Sequence, residues 1–329
     1  MSDIRKVFIT GVAGFIGFYV ARALLEKGVD VVGVDNLNDY YDPRLKKARL
    51  AELSGRKGFQ FFAADIADHE ALKAVPGALE SDVIIHLAAQ AGVRYSLENP
   101  FAYAASNLVG HLSVLELARH AKNLTRLVYA SSSSVYGANT KTPFSEADPV
   151  DHPVSLYAAT KRSDEMMSEA YARLYGIAQI GLRFFTVYGP FGRPDMAYWS
   201  FSERIMEGAP IRVFNHGDLE RDFTYIDDIV AGVVATALEP MKPTEGAPHR
   251  IYNIGNNRPV KIGRFIEVLE EAIGKKAEKI YEPMAPGDVY ITCADISAIS
   301  ADYGFAPTTP LEEGIPKFID WFRRYRAAG

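Results

Sequence analysis

A tyrosine and a lysine stand four residues apart in SLYAATKRSDE, residues 155–165. If the stretch is helical, Tyr157 and Lys161 share one face. Such a pair is either an ordinary solvated couple or a general base with the cation that tunes it. A free phenol holds its proton until a pH of about 10, so it is a poor base at neutrality. A nearby ammonium favours the phenolate, and a useful base has its proton affinity near the working pH. The pair alone does not decide between these readings; the rest of the chain has to.

TGVAGFIG places Gly11, Gly14 and Gly17 at a G-x-x-G-x-x-G spacing. The turn follows an apolar run that reads as a strand over 4–10. It opens a helix over 15–27, which ends at Gly28, a C′ glycine. Glycines there let backbone amides approach a pyrophosphate at the helix N-terminus. Phe15 and Ile16 open that helix and belong to the expected cofactor contact. Asp35 comes 18 residues after Gly17, at the end of the second strand. A carboxylate at that place bonds the adenosine ribose hydroxyls. Its charge would repel a 2′-phosphate, and no Arg or Lys follows before Arg44. The expected cofactor is therefore NAD rather than NADP. Asp65 ends a third strand at the same edge, where it either touches the adenine or caps a plain turn. Ile66 beside it and Leu87 in HLAAQAG complete the expected cofactor set. The competing readings are a structural turn for the glycines and a strand-end cap for Asp35.

Short apolar runs at 29–35, 59–65, 82–88, 125–131 and 178–184 alternate with helical patterns near 44–53, 100–121 and 155–175. That alternation predicts βαβ units and an α/β fold, a Rossmann-type doubly wound parallel sheet. After about residue 185 Gly and Pro become frequent, as in YGPFGRPD, NHGD and NNRP. The expected organisation is an NAD-binding domain over 1–185 and a smaller, loop-rich C-terminal substrate-binding lobe over 186–329. The chain is expected to return into the large domain after the boundary.

Hydrophobic residues make up 48% and charged residues 23%, which suits a folded chain with a large core. Net charge is 36 − 41 = −5, so no basic field points to a nucleic-acid partner. Cys293 is the single cysteine. An intrachain disulfide is impossible, and the expected setting is reducing and cytoplasmic. The uncharged run VFITGVAGFIGFYVA behind Arg5 and Lys6 looks like a secretory signal. The glycine spacing accounts for it better, and it is too short and too broken for a membrane span. His86 and His216 belong to no ligand cluster such as H-x-x-x-H, so no metal is expected.

In order, TGVAGFIG, HLAAQAG (86–92), ASSSSVYG (130–137) and YAATK (157–161) resemble the extended short-chain dehydrogenase/reductase superfamily. RFFTVYGPFGRPDMA (183–197) and FNHGDLERDFTYIDDIV (214–230) look like UDP-glucuronate 4-epimerases, the uronic-acid relatives of UDP-galactose 4-epimerase. The resemblance runs from residue 4 to about 322. It implies that Tyr157 is the general base and acid, and that Lys161 is its partner and holds the nicotinamide ribose. It implies that Ser132 bonds the sugar 4-hydroxyl. It also implies a UDP-sugar substrate and a homodimer built through helices near 100–121 and 155–175.

Relatives that dehydrate or decarboxylate such sugars usually carry an acid in the loop before VYG. Here that loop is Ser132, Ser133 and Ser134. Its lack of an acid predicts chemistry confined to C4: epimerisation of UDP-glucuronate to UDP-galacturonate through a 4-keto sugar. That intermediate is a β-keto acid, which loses CO2 when the breaking bond aligns with the carbonyl π system. Arg193 in GPFGRPD is suited to hold the carboxylate in a bidentate fork. Ser133, Ser134 and Thr186 would add hydroxyl donors. Thr186 stands where UDP-galactose 4-epimerases usually have Asn. By the same resemblance Arg221 meets the diphosphate, Asp288 the uridine ribose and Phe214 the uracil. Hexose relatives often have Arg three residues before that Asp; here it is Ala285. The alternatives are a UDP-glucuronate decarboxylase, a UDP-hexose 4-epimerase, a net oxidoreductase on another alcohol, or an NAD-sensing module. A sensing module would be expected to have lost Tyr157 or Lys161.

Overall fold

The computed structural model describes residues 4–284 and 289–327. Runs rich in Val, Ile and Phe form the strands β1 (Lys6–Thr10), β2 (Asp30–Asp35), β3 (Phe59–Ala63), β4 (Val83–His86), β5 (Arg126–Ser132) and β6 (Gln179–Phe184). Between them run α1 (Phe15–Glu26), α2 (Pro43–Leu53), α3 (His69–Lys73), α4 (Tyr95–Glu98), α5 (Pro100–Tyr103), α6 (Gly110–His120) and α7 (Leu156–Tyr175). The rest of the chain forms β7 (Thr186–Tyr188), α8 (Ala197–Glu207), β8 (Ile211–Phe214), β9 (Glu220–Tyr225), α9 (Ile226–Leu238), β10 (His249–Ile254), β11 (Pro259–Lys261), α10 (Ile262–Ile273), β12 (Lys279–Glu282), α11 (Ser297–Tyr303) and α12 (Leu311–Ala327).

Seven strands form one sheet in the order β10-β6-β5-β4-β1-β2-β3. Every pairing in it is parallel. Residues on both faces of β1, β4, β5 and β6 are buried, as a sheet covered by helices on two sides requires. The strand order reverses between β1 and β4. A crevice therefore opens at their C-terminal ends, where ligands of such sheets bind.

The chain does return. β10 pairs with β6 at the sheet edge, and α9 packs on α1. The remaining strands build a three-stranded sheet, β11-β9-β7, and a parallel pair, β12-β8. One apolar core runs from β1 and α1 through α9 to Phe318 and Phe322 of α12, so the smaller lobe is packed directly onto the larger domain. The helix expected over 100–121 is not regular. It consists of α5, a π-helical stretch Ala104–Val109, and α6. The wider turn carries Asn107, which is buried and bonded to neighbouring elements. Among the described residues no helix is long and apolar enough to cross a membrane.

Candidate active site

Ser155 starts α7 by accepting the Ala158 N–H at its Oγ (3.1 Å), and Gly176 ends it at φ +69°. Tyr157 thus lies in the first turn and Lys161 one turn further on. Two contacts fasten this helix to β5. Lys161 Nζ donates to the Ala130 carbonyl at 3.0 Å, and Ser131 Oγ donates to Glu165 Oε1 at 2.7 Å. Glu165 also takes Arg183 Nε at 2.8 Å and Nη2 at 2.9 Å, a fork buried on both sides. Lys161 is buried, and its Nζ lies 3.0 Å from Asp164 Oδ2. Burial pushes the ammonium down, but Asp164, Tyr157 and Glu165 together more than reverse that, so its proton is held above the ordinary lysine range. Tyr157 is half-buried and meets Tyr103 edge-on, ring centroids 6.1 Å apart. Ser132 ends β5 and is buried. Its Oγ accepts the Ser134 N–H at 3.2 Å and donates to Ser134 Oγ at 3.1 Å. The short helical turn Ser133–Tyr136 packs against α7, and Ser133 and Ser134 are half-buried in it.

The start of α1 suits a dinucleotide. Gly11 sits at φ +74°, and a Cβ there would come within 2.6 Å of the Ala88 amide nitrogen. A Cβ on Gly17 would lie 2.1 Å from the Gly11 carbonyl oxygen, so the turn closes only with glycines. Gly14 is the N-cap, with no side-chain cap, and the first turn holds no acid. Its amides are left for an anion. Phe15 is buried and Ile16 half-buried in this turn. Asp35 ends β2, buried, with Oδ1 accepting the Leu37 N–H at 2.8 Å and Lys46 Nζ at 3.2 Å. Arg44 pairs instead with Asp42 at 2.6 Å. The cation beside Asp35 is Lys46, which the sequence reading missed. Asp65 serves a turn: Oδ1 accepts the Ala67 N–H at 2.8 Å, and Oδ2 takes Asn36 Nδ2 at 2.9 Å. Ile66 is buried beside it, and the Leu87 N–H donates to the Thr10 carbonyl at 3.1 Å.

On the facing side, Thr186 opens β7 opposite Phe223. Arg193 is about a quarter exposed and is held in a fork by Asp195, with Nε–Oδ1 3.1 Å and Nη2–Oδ2 2.5 Å. The Tyr40 hydroxyl donates to the same Asp195 Oδ2 at 3.1 Å. The guanidinium is therefore tied through Asp195 to Tyr40, in the loop after β2. Phe214, half-buried at the end of β8, has the guanidiniums of Arg94 and Arg212 each 5.5 Å from its ring centroid. Arg221 lies on β9, where Nη1 donates to the Glu220 carbonyl at 2.8 Å and the Tyr290 carbonyl at 3.3 Å. Its neighbour Asp222 is turned inward onto the amides of Asn256, Asn257 and Ala294. Asp288 and Ala285 lie outside the described residues.

Three further residues assemble the site without having been singled out in the sequence. Arg49 is fully buried and spends all five donors. Nη1 reaches the Ala13 carbonyl (2.8 Å) and Tyr41 Oη (2.7 Å); Nε and Nη2 reach the Phe191 and Gly192 carbonyls. It ties the glycine turn to the loop that carries Arg193. Asn107 accepts the Gln90 N–H at 2.8 Å and donates to Thr160 Oγ1 at 2.9 Å, which sets the loop after β4 against α7. Asp195 aims Arg193. The one sequence signal for these was a polar residue within an apolar helical pattern, at Asn107. His86 is buried with Nδ1 2.7 Å from Thr10 Oγ1, and burial pushes it down to about 3. His216 sits in the turn after β8 and stacks on Tyr281.

Residues 7–255 match the NAD dependent epimerase/dehydratase family. The chain is 46% identical to a probable UDP-glucuronate 4-epimerase of Rhizobium meliloti, over 98% of each chain. It is also 46% identical to UDP-glucuronate 4-epimerase 1 of Arabidopsis thaliana, over 97% of this chain and 77% of that one. Its fold superposes on UDP-glucuronic acid 4-epimerase from Bacillus cereus, solved in complex with UDP-glucuronic acid and NAD. That match has a TM-score of 0.88 and 35% identity, and covers 97% of this chain and 99% of the other. The family match takes in the glycine turn of α1, the Tyr157–Lys161 face of α7 and the first half of the lobe, and on it this chain belongs to the NAD dependent epimerase/dehydratase family.

Proposed function

We propose that this enzyme interconverts UDP-glucuronate and UDP-galacturonate by inverting C4 through a 4-keto sugar. The observation that carries this reading is the end of β5. Beside Tyr157 and Lys161 it presents Ser132, Ser133 and Ser134, and no acid. Full-length likeness to UDP-glucuronate 4-epimerases supports it.

The glycine turn, Asp35 and Lys161 would hold NAD, which when bound would supply a reversible hydride acceptor for C4 with no net redox change. The protein's own groups do the rest. Ser132 holds the sugar 4-hydroxyl. Tyr157 takes its proton, and the Lys161 ammonium stabilises the phenolate that makes this possible. After the 4-keto sugar has turned over, Tyr157 returns the proton to the new hydroxyl. Arg193, aimed by Asp195, grips the C5 carboxylate and keeps it out of line with the carbonyl, which suppresses CO2 loss. Thr186, Ser133 and Ser134 add donors. Arg221, Phe214 and Asp288 take the nucleotide, whose remote binding energy orders the reacting end.

The working form in this reading is a homodimer. α6 and α7 pack side by side, and the surface around them shows Leu97 and Phe101, 80% and 83% exposed, with Met166 and Leu174. A second copy would cover that strip, and light scattering should return twice the chain mass. The single, buried Cys293 suits a reducing, cytoplasmic setting.

One NMR time course tests the reaction. Purified protein is mixed with UDP-glucuronate and no NAD is added. UDP-galacturonate without CO2 is the expected product. A UDP-pentose would make the enzyme a decarboxylase, and inactivity even with added NAD would sink the uronate assignment.

A further inference from the structure

Glu165 and Asp164 are neighbours on α7, and both are shut away from solvent, but they are held in different ways. Glu165 receives Ser131, Arg162 and both prongs of Arg183, as a buried structural carboxylate should. Asp164 Oδ2 has Lys161 Nζ at 3.0 Å, and Oδ1 finds no hydrogen-bond partner among the described residues. A buried carboxylate so poorly satisfied is costly as scaffolding. It lies one turn beyond Lys161, which is itself one turn beyond Tyr157 on α7.

The charges around Lys161 single Asp164 out. On its own helix stand Tyr157, Asp164 and Glu165; β4 brings His86 and the helix after the π-turn brings His111, while Tyr129 of β5 and Arg183 of β6 stand by the neighbouring carboxylates. His86 and His111 are neutral, because burial holds both well below the ordinary imidazole range. Tyr129 keeps its proton for the same reason. Glu165 and Arg183 cancel each other in their fork. Asp164 is left as the anion that Lys161 answers to. Burial lifts its carboxyl to about 6, against the pull of the Lys161 ammonium, so it is still charged at neutrality. Lys161 gives one hydrogen to Asp164 and one to the Ala130 carbonyl, which fixes where the third points.

We propose that Asp164 is a positioning residue for proton transfer: it anchors the Lys161 ammonium from behind, and its negative charge limits how strongly that ammonium stabilises the Tyr157 phenolate. The inference rests on the assignment of Tyr157 as the base. Removing the negative charge while keeping the shape releases the full field of Lys161 onto the phenol.

The test uses the NAD-saturated enzyme. Tyrosinate absorbance is titrated in the unsubstituted protein, in Asp164→Asn and in Asp164→Ser, each minus its Tyr157→Phe counterpart. The Tyr157 signal should appear about one pH unit lower in both neutral variants. The acid limb of kcat/KM for UDP-glucuronate should move the same way, and Asp164→Glu should restore it. An unmoved tyrosinate midpoint would overturn the proposal, as would failure of both neutral variants to fold and bind NAD, since that would make Asp164 scaffold. If the unsubstituted enzyme did not turn over UDP-glucuronate, the proposed reaction would fall, yet the absorbance titration would still decide the role of Asp164.

Discussion

Around the site, the large domain and the smaller lobe hold their charges differently. Lys161–Asp164, Arg183–Glu165 and Lys46–Asp35 are all buried, with no side chain more than 8% exposed. In the lobe, Arg212–Glu282 and Lys261–Asp218 leave their cations 64% and 59% exposed. Exposed pairs contribute about 0–1 kcal/mol, whereas breaking a buried one costs several. In the proposed reaction the large domain therefore fixes the proton-transfer groups before any sugar arrives. On the same proposal the lobe offers an adaptable surface to the part of the substrate that does not react. Binding energy gathered there can be spent on the reacting end.

Tyr157→Phe should break the comparison at its strongest point. Loss of a positioned general acid–base lowers turnover about 10²–10⁴-fold. The glycine turn is untouched, so bound NAD, assayed by absorbance after denaturation, should stay stoichiometric. Turnover within tenfold of the unsubstituted enzyme would move the base elsewhere. Next in size comes the scaffold under it. Arg183→Met leaves Glu165 buried with its main partner gone and should cost about 3–5 kcal/mol in urea unfolding. Arg212→Met in the lobe, whose pair is exposed, should leave the urea midpoint almost unmoved. Equal losses at the two sites would erase the distinction.

The buried histidine makes the same domain sensitive to acid. His86 is lowered from 6.5 to about 3 by burial. Between those values the unfolded chain binds a proton that the folded chain refuses. Its contribution is therefore present above about pH 6.5 and is lost as pH falls towards 3. The slope is about 1.4 kcal/mol per pH unit. Unfolding free energies at pH 7, 6 and 5 should show it, and His86→Gln should remove its share of the slope while the share of the equally buried His111 remains.

What could be read from the chain follows from how local each contact is. The strands announced themselves as apolar runs bounded by Gly and Asp, and their observed ends fall within a few residues of the expected ones. The glycine turn was legible because three residue types at fixed spacing meet one steric demand, which the near-contact of Gly17 with Gly11 now makes concrete. Tyr157 and Lys161 were visible as a helical pair. Asp164 lies on the same face at i+3 from Lys161, and was passed over because a solvated acid is the ordinary reading of KRSDE. Arg49 could not be read at all, since it bonds the Phe191 carbonyl 142 residues away. Lys46 was hidden differently: sequence distance favoured Arg44, but Arg44 is taken by Asp42. The nucleotide end was named from resemblance, because its aromatic and cationic groups come from loops and small sheets with no period of their own.

The smallest expected effect lies at that end. Arg94 comes from the loop after β4 and Phe214 from the lobe, so their contact at 5.5 Å joins the two parts of the molecule across the crevice. A cation over an aromatic ring at an exposed site is worth about 0.5–1 kcal/mol. Arg94→Ala should therefore raise KM for UDP-glucuronate about two- to fivefold and leave kcat unchanged. Arg212→Ala, on the same ring at the same distance, should do no more. If kcat fell together with KM in Arg94→Ala, the arginine would be positioning the reacting end rather than only holding the nucleotide. The two ends would then be coupled through this contact, and the lobe would have to be counted as part of the fixed machinery.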